Sequence, residues 1–144
     1  MPTLPSQPVP FTLEQLQAAH GRVKSGADFP RYVQDMERLG VVAYDYYVSD
    51  GHHSYRGREQ VLTTVPVGEP LPVAPSGNRE ALQQALTVHQ QGRTDYPTFC
   101  RQAAAAGVDK WTVRTLELTC SYYDVQGQEM LVEEIPLPGN PGQF

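Results

Sequence analysis

The feature that most narrows the fold is an internal echo. The stretch DYPTFCRQAAAAGVDKW, residues 95–111, repeats the pattern of DFPRYVQDMERLGVVAY, residues 28–44. An offset of 67 (96 − 29) matches Asp28 with Asp95, Pro30 with Pro97, Gly40 with Gly107 and Val41 with Val108. The same offset pairs Phe29 with Tyr96, Tyr32 with Phe99 and Tyr44 with Trp111, and carries Ser54-Tyr55 onto Ser121-Tyr122. Fixed-period self-similarity signals a repeated structural unit. A chain of this kind is expected to fold as two similar halves.

Proline placement sets the boundaries. Of 13 prolines, four fall in residues 2–10, four in 66–75 and three in 136–141. The first and last groups read as irregular tails, residues 1–10 and 137–144, and residues 67–77 read as an extended linker. One domain over 11–136 follows, with halves 11–66 and 78–136. The two remaining prolines, Pro30 and Pro97, sit one in each copy of the motif.

Local signals give each half the same parts. Thr12 with Gln15 forms a capping box, and Phe11 with Leu16 can form a hydrophobic staple. Leu13, Leu16, His20 and Val23 share one helical face, as do Leu82, Ala85, Leu86 and His89 on a helix starting near Asn78. Asp28 and Asp95 suit the cap of a second helix, with a proline harmless in its first turn. Gly40 and Gly107 suit its left-handed stop.

Strands follow these helices. VVAYDYYVS alternates, and KWTVRTLELTCSYYD is a long β-prone run. Asp50-Gly51 could form a two-residue hairpin, which would set Tyr46 opposite Tyr55 and Asp45 opposite Arg56. Alternatively Gly51 marks a bulge in one long strand, with turns instead at RGRE and DVQGQ and closing strands QVLTTVP and MLVEEIP. The second version treats both halves alike and is preferred. Duplicated helix-helix-strand-strand halves predict an α+β domain. Its helices pack on one face of an antiparallel sheet, with pseudo-two-fold symmetry.

Composition excludes some functions. A net charge of −5 with 11 Lys and Arg in 144 residues leaves no basic stripe for gripping phosphate backbones. No segment reaches the roughly 18 apolar residues of a membrane span, and MPTLPSQPVP lacks the pattern of a secretory signal. The expected location is cytoplasmic, with Cys100 and Cys120 as free thiols. No cofactor is implied. His52 and His53 are adjacent, so on a strand they point to opposite faces and do not share a metal.

The runs HQQGRTDYPTFCRQAAAAGVDKWTV, CSYYDVQGQEMLVEEIP and GVVAYDYYVSDGHHSYRG resemble the phage envelope protein-like family, the YdfO/YbcV-like small bacterial and prophage-borne proteins. The resemblance covers about residues 11–136. It implies an α+β fold and a cytoplasmic, prophage-linked origin, and it carries no catalytic residues.

Two chemical readings stand against each other. A thiol nucleophile needs a base to raise its thiolate fraction and a third group to orient that base. His89, Cys100 and Asp95 could supply that set, although Asp95 is already accounted for as a cap and Val33 fills the slot matching Cys100. Of Glu133 and Glu134, strand alternation allows only one to enter a shared cleft. The other reading is a binding face: Tyr47, Arg56, Lys110, Trp111 and Arg114 would lie together on the side of the sheet left open by the helices. Amphipathic aromatics beside charge favour recognition. The preferred function is therefore a non-catalytic accessory module that binds a protein partner or itself, and the alternative is a small enzyme using Cys100 with His89.

Overall fold

The computed structural model describes residues 11–23, 28–66 and 69–136. Both expected tails, and the first two residues of the expected linker, lie outside that set. The order is α1 (Leu13–His20), α2 (Phe29–Leu39), β1 (Ala43–Tyr47), β2 (His53–Arg56) and β3 (Val61–Thr63). Then come α3 (Arg79–Gln90), α4 (Tyr96–Ala105), β4 (Lys110–Arg114), β5 (Thr119–Tyr123) and β6 (Glu129–Glu134). The architecture is α+β: four helices and one open antiparallel sheet of order β3-β2-β1-β4-β5-β6. No described helix is long and apolar enough to cross a membrane.

Each half carries three strands, not the expected two. In the first, the chain turns over residues 48–52, so Gly51 (φ 75°) belongs to a turn, and the preferred long strand with a glycine bulge is incorrect. The two-residue hairpin is also incorrect in register, because the five-residue loop sets Tyr46 opposite His53 and Tyr44 opposite Tyr55. In the second half the β-prone run breaks at Thr115–Leu118. There Leu118 takes a left-handed φ of 57°, 67 residues after Gly51. Thr115 is held at that corner by its N–H and Oγ1–H, which donate to the carbonyls of Val42 and Val41. Tertiary hydrogen bonds override local β propensity here. The turns expected after Arg56 and at DVQGQ are present.

The helix signals behave unevenly. Thr12 and Gln15 make the capping box, and Asn78 and Asp95 accept from the N–H groups of Ala81 and Thr98. Asp28 departs from expectation: its backbone is helical and its side chain makes no capping bond. Gly40 and Gly107 close their helices at φ 101° and 88°. Gly107 does a second job, since a Cβ there would lie 2.4 Å from the Ser76 carbonyl oxygen. The close approach lets Asn78 and Ala74 donate to Ala106 and Ala104, tying the inter-half segment to the end of α4.

The helices pair as α1 with α2 and α3 with α4. Both pairs bury Leu16, Val33, Met36, Leu82 and Ala103 against the sheet side bearing Tyr44, Tyr55, Val113 and Tyr122. The outer side carries Asp45, Lys110, Thr112 and Arg114. Asp45 is only 4% exposed, and its Oδ1 accepts from Thr112 Oγ1 at 2.5 Å and Arg56 Nη2 at 3.3 Å.

Candidate functional site

Where the two helix pairs meet over the central strands β1 and β4, a cleft of about 480 Å³ opens. That is ordinary size for a small-molecule site. Its floor is Tyr44 on β1, His53 on β2, Trp111 on β4, and Cys120 and Tyr122 on β5; its walls come from the ends of α1 and α3 and the starts of α2 and α4. Strand alternation explains the floor. Residues 44, 111, 113, 120 and 122 face the helices, and their neighbours face outward.

The aromatic rings form two contiguous clusters, one per half. In the first, Tyr32 meets His20 at 5.7 Å and Tyr44 at 6.0 Å between ring centroids, and His53 stacks on Tyr55 at 5.3 Å. In the second, Phe99 contacts His89 at 4.8 Å and Trp111 at 5.7 Å, and Trp111 meets Tyr122 at 5.8 Å. Tyr46 bridges them, 4.8 Å from His53 and stacked 4.6 Å from Trp111.

Electrostatically the floor is neutral. Burial, with His20 and His52 nearby, lowers His53 to about 4, so the ring is uncharged at neutral pH. Burial also lowers His20. Tyr44 is held well above the ordinary tyrosine range by burial, then by its neighbours Tyr32, Cys120 and Tyr55. The carboxyl next to the floor is Glu133, raised by burial although it accepts from Gln90 Nε2 at 2.9 Å and Tyr122 Oη at 3.1 Å. Charges sit at the rim, where Arg93 and Asp95 are exposed.

Polar atoms of the first-half wall differ in access. Among the described residues, Tyr32 Oη is the one sealed side-chain polar atom without a hydrogen-bond partner. Burial holds this phenol well above the ordinary tyrosine range, and the adjacent Tyr55 hydroxyl adds to that shift. Tyr44 Oη and the His53 ring nitrogens also make no hydrogen bond to the described residues. Unlike Tyr32 Oη they are not sealed, so they open onto the cleft.

The expected site residues fall in different places. The His89 ring nitrogen Nδ1 lies 3.1 Å from the Thr94 carbonyl; a carbonyl only accepts, so Nδ1 carries the hydrogen. Cys100 instead contacts the Tyr46 hydroxyl, at 3.7 Å, and burial raises its thiol. Cys120, on the cleft floor, is pushed up by burial to about 12. Among the described residues the Cys100 thiol meets the Tyr46 hydroxyl, Cys120 lies beside Glu133, and the Asp95 side chain is spent on the Thr98 N–H.

The proposed binding face also divides. Tyr47, Arg56, Lys110 and Arg114 share the outer side, but Trp111 does not. Strand alternation turns it inward to the cleft, where it is 6% exposed. The outer four are engaged with their neighbours. Arg114 donates to Ser121 Oγ and Tyr123 Oη, Arg56 reaches Asp45, and Lys110 Nζ lies 5.7 and 5.5 Å from the rings of Tyr47 and Tyr123. His52 stacks on Tyr47 at 4.2 Å, and His53 faces the cleft on the opposite side. Sequence reasoning missed Tyr44, His20 and His53 as cleft residues. The available signal was the 67-residue offset, which matches Tyr44 with Trp111 and His53 with Cys120.

A family model described as a protein of unknown function (DUF1398) matches residues 17–134, and the chain belongs to that family. No curated protein matches it.

Proposed function

We propose that the protein is a non-catalytic binding module whose ligand is a small, flat, uncharged aromatic molecule held in the central cleft. The observation that carries this reading is the cleft floor: a neutral aromatic surface lining a cleft between two helix pairs. Burying ring against ring yields the area-dependent hydrophobic gain plus a geometric preference for stacked or edge contacts. A charged ligand would lose hydration there and find no counter-charge on the floor.

Binding is preferred to catalysis because the thiols lack activation, and nucleophilic chemistry needs a thiolate or an adjacent base. Binding in the cleft is preferred to protein docking on the outer face because that face's charges are already satisfied within the sheet. The resemblance drawn from the sequence supports a cytoplasmic, prophage-linked accessory role as part of the same proposal.

Trp111 gives a local test, because the chain contains one tryptophan. In ¹⁵N-labelled protein the single indole N–H resonance should shift saturably as quinoline is added. Quinoline should lose that effect in His20→Tyr, which narrows the cleft at its rim without adding a second indole. An indole resonance that stays fixed at millimolar ligand, in protein that remains folded, overturns the proposal.

A further inference from the structure

The two walls of the cleft are not chemically equal. Position for position, His53 matches Cys120 and Tyr44 matches Trp111 at an offset of 67 (120 − 53, 111 − 44). On the first helix of each half, counted from the caps Thr12 and Asn78, His20 matches Leu86 at an offset of 66 (86 − 20). In the first two pairs the first half presents a phenol and an imidazole where the second presents an indole, itself an N–H donor, and a thiol. In the third it presents imidazole against aliphatic surface, and three residues on the sense reverses, since Val23 matches His89 at the same offset (89 − 23). Two of these first-half groups, Tyr44 Oη and the His53 ring, belong to residues that line the cleft and make no hydrogen bond to the described residues.

We infer that the cleft selects a neutral fused heteroaromatic, with a hydrogen-bond acceptor on its edge facing Tyr44 and a ring face against the aromatic floor. This rests on the cleft being the binding site. Tyr44 remains an O–H donor throughout the physiological range, so it selects an acceptor and not an anion's counter-charge. A ligand lacking the acceptor leaves the phenol unpaired in a dry site, where an unmade hydrogen bond is costly. The His53 ring lies 6.1 Å from that of Tyr44, placing a second polar group along the same edge. Tyr32, by contrast, keeps its hydroxyl sealed behind the wall and takes no part in the selection.

The test compares three ligands of one shape by calorimetry at neutral pH: quinoline, naphthalene and 2-naphthoate. Wild type should bind quinoline roughly 3- to 10-fold more tightly than naphthalene, the ratio expected of one net neutral hydrogen bond. 2-Naphthoate should bind more weakly than either. Tyr44→Phe should erase the preference for quinoline by weakening quinoline alone, and Tyr32→Phe should leave the preference intact. Equal binding of quinoline and naphthalene to wild type, or a preference that survives Tyr44→Phe, overturns the inference while the cleft itself stands as a site. If none of the three binds and the Trp111 indole resonance does not move, both readings fall. Removing the Tyr44 hydroxyl breaks no protein hydrogen bond, so the variant should fold.

Discussion

Acid should destabilise this protein through His53, and the effect can be isolated. His53 sits in the cleft wall with its ring stacked on Tyr55 and 4.8 Å from Tyr46. Charging it requires a cation in an aromatic surround, with His20 and His52 close by and, among the described residues, no carboxylate acting on it. Its folded value is about 4 against 6.5 when unfolded. Between those values the unfolded chain binds more protons, so stability rises with pH there and falls as pH drops from 6.5 towards 4. Above 6.5 the group contributes nothing either way. Integrating between about pH 7.5 and about pH 4.5 gives a loss of about 2.5 kcal/mol from this one ring. A typical domain has about 5–15 kcal/mol in all, so the change is large enough to resolve. The assay is urea unfolding followed by circular dichroism at both pH values, in wild type and His53→Phe, which keeps a flat ring but cannot titrate. Glu133 titrates in both proteins and cancels in the difference. The wild type should lose about 2.5 kcal/mol more than the variant. Equal losses would mean that His53 is hydrated when folded, and the account of a neutral cleft floor would fail with it.

Two further outcomes follow from local geometry. Gly40→Ala should cost about 1–2 kcal/mol, the strain of a left-handed residue with a Cβ. Gly107→Ala should cost more, because its Cβ also meets the Ser76 carbonyl at 2.4 Å; thermal melts that rank the two variants the other way would refute the docking of residues 74–78 on α4. With Cys120 at about 12 and Cys100 raised, neither thiol should react with Ellman's reagent until the protein unfolds. A thiol that reacts in native protein faster than free cysteine would restore Cys100 as a candidate nucleophile.

Much of the fold was legible because it is written in local, short-range chemistry. The capping box at Thr12, the cap at Asp95 and the stops at Gly40 and Gly107 each depend on neighbours within about one helical turn. Strand breaks were not legible for the opposite reason. Nothing in TLEL marks a turn, and Leu118 accepts a left-handed backbone because Ile135 donates to its carbonyl and Thr115 is pinned to Val41 and Val42, just ahead of β1. Strand count therefore failed where the turn is imposed by partners distant in sequence. The cleft was half legible. Strand alternation places Tyr44, Trp111 and Tyr122 on one side of the sheet, but it assigns them equally to a packed core. Only the separation of the two helix pairs turns those rings into a floor.

That separation also explains where selectivity can arise. The order β3-β2-β1-β4-β5-β6 puts β1 and β4 side by side at the centre, so each half contributes one wall to a shared cleft. Two identical walls would favour a ligand symmetric about the line between those strands. Across that line Tyr44 lies beside Val113 and Tyr46 beside Trp111, and the offset-matched pairs His53/Cys120 and Tyr44/Trp111 put different side chains on the cleft floor. The residues held alike, such as Gly40 with Gly107 and Val41 with Val108, lie at helix ends and in the core, where they set backbone shape. On the proposed reading, conformation is carried by what the halves share and recognition by where they differ. The contrast between Tyr44→Phe and Tyr32→Phe tests that division directly, since both remove one buried hydroxyl and only one of those hydroxyls opens onto the cleft.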